Sequence, residues 1–223
     1  MHPDWLPWLL QVNDSQFPSG AYAHSLGLEG LVQFGVVNSP DDVEKFLHQQ
    51  VLPSLLAFEL PFLAQAHEAA AQRDMRRLRE LDDELDAWKL AAELRQASRQ
   101  IGSRRLALIR KLEPSSLLET YVVENAPCHH LIACALELRE LPVAAAACAF
   151  AHQAISGYAV SAMKLVRMGQ ERCQSMIRRA WCALAPHLNE AVESERKRMG
   201  WFNPLLEIAS MRHAVAHERL FIS

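Results

Sequence analysis

The stretch VAAAACAFAHQAISGYAVSAMKLVRM, residues 143–168, decides the fold class. It opens apolar all round, from Ala144 to Ala151, which is the pattern of a helix surrounded by other helices. Pro142 before it and Gly169 after it are start and stop signals. Elsewhere Ala, Leu, Glu, Arg and Gln dominate, and alternating apolar–polar runs are few. The expectation is an all-α, single-domain helical bundle over residues 1–223, of roughly eight to ten helices. Residues 143–168 should be its fully buried centre.

Working outward toward the end of the chain, a helix starts near Gln170, and Pro186 should kink or end it before a continuation to Lys197. Gly200 and Pro204 bracket a turn before a last helix from Leu205 to about His217. Toward the start, Pro127 and Pro142 delimit a helix carrying His129 to Leu141. Ser116 and Glu119 have capping-box spacing. Residues 74–112 form the most charged helical stretch, with an interruption placed near Asp82-Asp83. Its inward stripe is Leu78, Leu81, Leu85, Trp88 and Ala92. Pro53 and Pro61 should break or kink the segment that carries them. Ser39-Pro40-Asp41-Asp42 is a strong helix start. Trp5, Trp8, Leu9 and Val12 recur at helical spacing, with Pro7 in the first turn, so a short amphipathic helix opens the chain.

Composition narrows the function. Charged residues are 22% of the chain and its net charge is −3, so nothing indicates a nucleic-acid footprint. The basic runs 73–79, 95–105 and 196–198 read as solvated helix surface. Five cysteines without a CxxC pair imply neither a disulfide framework nor a zinc ribbon. They fit reduced thiols in a cytoplasmic protein. The opening MHPDWLPWLL lacks the basic region of a signal peptide, and the apolar run 141–151 is too short to cross a bilayer. No membrane association is expected.

Candidate chemistry starts with NDSQFPSGAYAHSLGLEGLV, residues 13–32. Its Gly20, Gly27 and Gly30 match neither GxGxxG nor GxxxxGK[ST], and no strand precedes them. No cofactor is expected. His24 and Ser25 lack the strand–turn–helix setting of a hydrolytic triad. His213 and His217 stand at i and i+4, a spacing that can bind a metal on a helix, but Glu218 follows the second histidine and not the first. Cys128-His129-His130 could share one ion only if the segment stays extended. Neither group carries the prediction of a metal site. Ser98 and Gly102 lie on one helical face and favour close helix packing. Beside them, Arg95, Arg99, Arg104 and Arg105 could form an exposed basic edge. The ending Arg219-Leu220-Phe221-Ile222-Ser223 either folds back onto the core or inserts into a partner's groove.

The chain resembles the urease accessory protein UreF family in three places. LLQVNDSQFPSGAYAHSLGLEGLV is similar to the family's LLQLxDSxFPxGxFxHSxGLE, with Asp14, Ser15, Phe17, Pro18, Gly20, His24, Ser25, Gly27, Leu28 and Glu29 matching position by position. Ser98 and Gly102 resemble its SxxxG stretch, and residues 204–223 resemble its RLFxS ending. Two positions depart from the pattern: Tyr22 stands for the usual Phe, and Ala214 for the Glu that follows the equivalent of His213. The resemblance implies an adaptor and not an enzyme, homodimeric, that with UreD (also called UreH) recruits the GTPase UreG to apo-urease for nickel insertion. It implies partner-binding roles for Gly20, His24, Ser25, Glu29, Ser98, Gly102, Arg219, Leu220, Phe221 and Ser223. Two other readings stand beside it. One is a metal-dependent helical hydrolase on the His213/His217 face. The other is an activator of UreG that supplies an arginine, with Arg95, Arg99 and Arg219 as candidates.

Overall fold

The computed structural model describes residues 4–124, 128–194 and 199–223. Among them are ten helices and no strand, which is the expected all-α bundle. In chain order, α1 is Leu6–Val12, α2 is Leu28–Gln33, and α3 runs unbroken over residues 40–71. Next come α4 (Met75–Trp88), α5 (Ala92–Leu112), α6 (Ser116–Glu124), α7 (His130–Glu137) and α8 (Val143–Leu165). The chain closes with α9, residues 170–192 with a 3₁₀ turn Ala185–His187 at Pro186, and α10 (Pro204–His213). The basic run 196–198, Lys197 and Pro127 lie outside the described residues.

The sequence places fixed helix starts correctly where the chemistry is local. Ser39 caps α3 by accepting from Asp42 N at 3.2 Å, and Asp74 caps α4 by accepting from Arg77 N at 2.9 Å. Pro7 lies in the first turn of α1. Ser115, not Ser116, caps α6, accepting from Leu118 N at 3.3 Å. Glu119, freed from a capping role, pairs with Arg110.

Pro53 and Pro61 do not break α3. A π turn, Leu47–Val51, precedes Pro53, and a second, Leu55–Glu59, precedes Pro61. Widening the turn absorbs both the missing N–H and the ring's clash with the carbonyl one turn back. Likewise α4 passes straight through Asp82-Asp83, and the break falls at residues 89–91. That break resets the helical register. Leu78, Leu81 and Leu85 are buried as predicted, but Ala92 is exposed, Trp88 is 39% exposed, and Ala91 takes the inward place.

The buried centre is α7 and not α8. Every residue from Leu131 to Glu137 is buried, on a helix packed against α5, α3 and α8. In α8 one face packs on α9, α3 and α2, while Cys148, His152 and Gly157 point outward. Alanine fits a core and a close helix contact equally well, so apolar composition alone did not separate the two. At 23 residues α8 is also long and apolar enough to cross a membrane, which the run 141–151 was not. It packs here as a bundle helix.

A second, smaller apolar cluster holds α1. Val12 packs with Leu138, Leu141, Ala146 and Ala149, against Trp5, Trp8, Leu9 and Phe17. Arg105 fastens it from below and is 2% exposed, so it is no part of a basic edge. It ion-pairs with Glu137 at 2.5 Å, donates to Val12 O at 3.0 Å, and lies 5.1 Å from the Phe17 ring centre. Burial pushes the Glu137 carboxyl up to about 7, against the pull of Arg105.

Candidate functional site

The string 13–32 and the last five residues meet. Gly20 (φ +81°) and Gly27 (φ +89°) adopt the left-handed conformation that lets the chain turn twice before α2. At Gly20 the Arg104 side chain fills the space beside the backbone, with Cδ 3.1 Å from where a Cβ would sit. Gly30 allows α10 against α2: a Cβ there would lie 2.7 Å from the carbonyl oxygen of Ala209.

Onto this surface the tail folds back, with a bend at Leu220 and Phe221. Ile222 N donates to Ala23 O at 2.9 Å, and Ser25 N donates to Ser223 O. Ser25 Oγ donates to the same carbonyl at 2.9 Å, and His24 Nδ1 meets Ser223 Oγ at 2.7 Å. Exposure alternates along the tail. Phe221 and Ser223 turn inward, at 4% and 2% exposure, whereas Leu220 (72%) and Ile222 (53%) face out. Of the two readings open for the tail, folding back describes Phe221. The outward pair remains available to a partner.

Glu29 is the centre of the arrangement. It stands in the first turn of α2, where the helix dipole favours a carboxylate. Its oxygens accept from Leu220 N at 2.7 Å and Phe221 N at 3.0 Å. His213 Nε2 lies 2.9 Å from Glu29, and its Nδ1 lies 2.9 Å from Glu93 on α5. The ring thus bridges carboxylates from α2 and α5. Arg219 stands 3.7 Å from Glu93. Above the tail, the Lys164 ammonium lies 3.4 Å from the Tyr22 ring centre and 4.8 Å from that of Phe221. Burial, aided by Arg104, lowers the His24 pKa below its ordinary value.

Gly20, His24, Ser25, Glu29, Arg219, Leu220, Phe221 and Ser223 therefore belong to one place. Ser98 and Gly102 do not. Ser98 Oγ meets His129 Nδ1 at 3.0 Å, and the backbone of Cys128 and His129 occupies the space a Gly102 Cβ would need. Both sit inside the α5–α7 contact. Burial holds the His129 ring down to about 4, and Asp86 takes its Nε2 at 3.1 Å.

Two further expectations change here. The last helix ends at His213, so His213 and His217 share no helical face. His213 is 1% exposed and committed to Glu29 and Glu93. Among the described residues no three His, Cys, Asp or Glu side chains converge to hold a metal ion. The arginines offered for catalysis in trans are engaged: Arg99 pairs with Asp86 at 2.5 Å, and Arg95 donates to Lys89 O at 2.9 Å. Ala214 is an exposed cap residue after α10. The acid groups beside His213 thus come from α2 and α5, and not from the position next to it. Glu93, Lys164 and Gln33 (whose amide donates to Glu218 O at 3.0 Å) are site residues that sequence reasoning missed. Nothing in their spacing marks them.

Fold and site together define an all-helical scaffold whose most distinctive residues hold its own tail across an N-terminal turn. A sequence model of the UreF family matches residues 37–180. The urease accessory protein UreF of Lachnoclostridium phytofermentans is 32% identical over 96% of this chain and 97% of its own length. Those of Actinobacillus pleuropneumoniae serotype 3 and a Nostoc species are 29% and 28% identical, again over 96% of this chain. The chain belongs to the UreF family of urease accessory proteins.

Proposed function

We propose that this chain works in urease maturation as a cytoplasmic, non-catalytic adaptor. In this reading it acts as a homodimer, with UreD/UreH and UreG as partners, and brings the GTPase to apo-urease for nickel insertion. The observation that supports it best is the string–tail surface. The residues that carry the family resemblance at both ends of the chain build one exposed element there, with Leu220, Ile222 and Tyr22 outermost. Large apolar side chains held outward on an ordered backbone suit protein recognition, because little ordering entropy remains to be lost on binding. UreD is the partner assigned to this surface.

Co-expression with UreD and UreG, followed by mass measurement of what co-purifies, tests the reading. A complex holding all three proteins is expected. Recovery of this chain alone, with both partners well expressed, would contradict it.

A further inference from the structure

Beneath the N-terminal string lies a cavity of about 1120 Å³, slightly larger than the usual small-molecule site. Phe46, Phe58, Trp88, Phe150 and Leu206 give it a largely apolar wall. Among the polar side chains on its lining are Glu59 on α3, Lys89 after α4, His130 at the start of α7 and Trp201 before α10. His130 Nε2 and Trp201 Nε1 are shut off from solvent, and among the described residues neither has a hydrogen-bond partner. Glu59 likewise accepts no side-chain hydrogen bond from them, and burial pushes its carboxyl up while Lys89 pulls it down. Lys89 stands near enough to Glu59 to pull on its carboxyl, and the neighbouring Phe58 and Trp88 rings lie 5.2 Å apart on the same lining.

Buried polar groups left without protein partners are completed by water or by a ligand. Of the charged side chains on the lining, Arg105 is held by Glu137, and Asp14 and Glu207 accept backbone N–H groups, which leaves Glu59 and Lys89 to discriminate among ligands. A lone organic cation would meet Lys89, and a lone anion would meet Glu59. A zwitterion satisfies both, its ammonium donating to Glu59 and its carboxylate accepting from Lys89 and the Trp201 N–H. An apolar body attached to it would lie along the aromatic wall.

We propose that this cavity is a binding site for a small zwitterion with an apolar side chain, of the α-amino-acid class, held between Glu59 and Lys89. The cavity borders the partner surface, since Tyr22, His24 and Ser25 also line it, but the proposal does not rest on the adaptor reading.

Trp88 and Trp201 serve as reporters. The full chain is titrated with L-phenylalanine while tryptophan fluorescence and melting temperature are followed. Phenethylamine, 3-phenylpropionate and toluene are the one-charge and no-charge controls. Saturable binding of L-phenylalanine is expected, with each control about tenfold weaker or more. Glu59→Gln and Lys89→Met should each weaken L-phenylalanine by a similar factor, with the ligand-free melting temperature showing that the variant is folded. Should Glu59→Gln not fold, Lys89→Met with the three controls decides alone. Flat titrations with L-phenylalanine overturn the proposal. So does equal or tighter binding of any control, or undiminished L-phenylalanine binding in the folded variants.

Discussion

At Glu29 one carboxylate receives two tail amides and faces His213, so a single side chain joins α2, α10 and the end of the chain. Glu29→Gln keeps the shape but replaces one accepting oxygen with a donor that faces N–H groups. It should cost about 1–3 kcal/mol and release the tail. Thermal unfolding, with limited proteolysis at residues 219–223, checks both effects. His130 gives a pH prediction. Burial holds its ring down to about 3, from an ordinary 6.5. Between those values the unfolded chain binds a proton that the folded chain refuses. Its stabilising contribution is thus full above 6.5 and is lost as pH falls toward 3. Glu137, raised to about 7, has the opposite sign: its contribution is full below 4.5 and is lost as pH rises through 7. Denaturation curves at pH 6.5 and 4.5 should therefore show a shallower acid loss for His130→Asn, by on the order of 1 kcal/mol per pH unit. At this scale the sequence marked His24, Ser25 and Glu29 as special but not what they touch. Their partners lie 184 to 199 positions away, and residue spacing carries no signal over such separations.

Among elements, close approach at glycine separates packing from freedom. Gly102 sits where α5 meets the backbone of Cys128 and His129, so Gly102→Ala must push two buried helices apart. A loss of about 1–3 kcal/mol or more is expected. Gly157, in the middle of α8, has no atom within 4 Å of an added Cβ. Gly157→Ala should stabilise by about 0.5–1 kcal/mol through helix propensity alone. Melting curves of the two variants should move in opposite directions. The start at Ser39 was legible because a cap is local chemistry and acts within three residues. The π turns before Pro53 and Pro61 were not, since a proline shows that the ladder must change and not how a packed helix absorbs the change. The buried role of α7 was hidden for another reason. Eight residues with two histidines nearby look less central than a 23-residue helix that opens apolar all round, and only tertiary contacts reveal which helix is enclosed.

At the scale of the whole molecule, a bundle centred on α7 carries a surface that neither end of the chain could build alone. The N-terminal turn supplies carbonyl, hydroxyl and carboxylate groups, and the tail supplies amides and outward apolar side chains. The all-α class could be read from composition and punctuation, whereas closure of residues 219–223 onto 23–29 could not. In the proposed function that closed surface is where UreD docks. Leu220 and Ile222 face outward, so Leu220→Ser with Ile222→Ser should leave the fold unchanged, with a melting temperature within a few degrees of the parent chain. The most direct test is capture of UreD by this double variant beside the unmodified chain. Loss of UreD from a variant that melts normally is the predicted result, and full recovery of the complex would contradict the account.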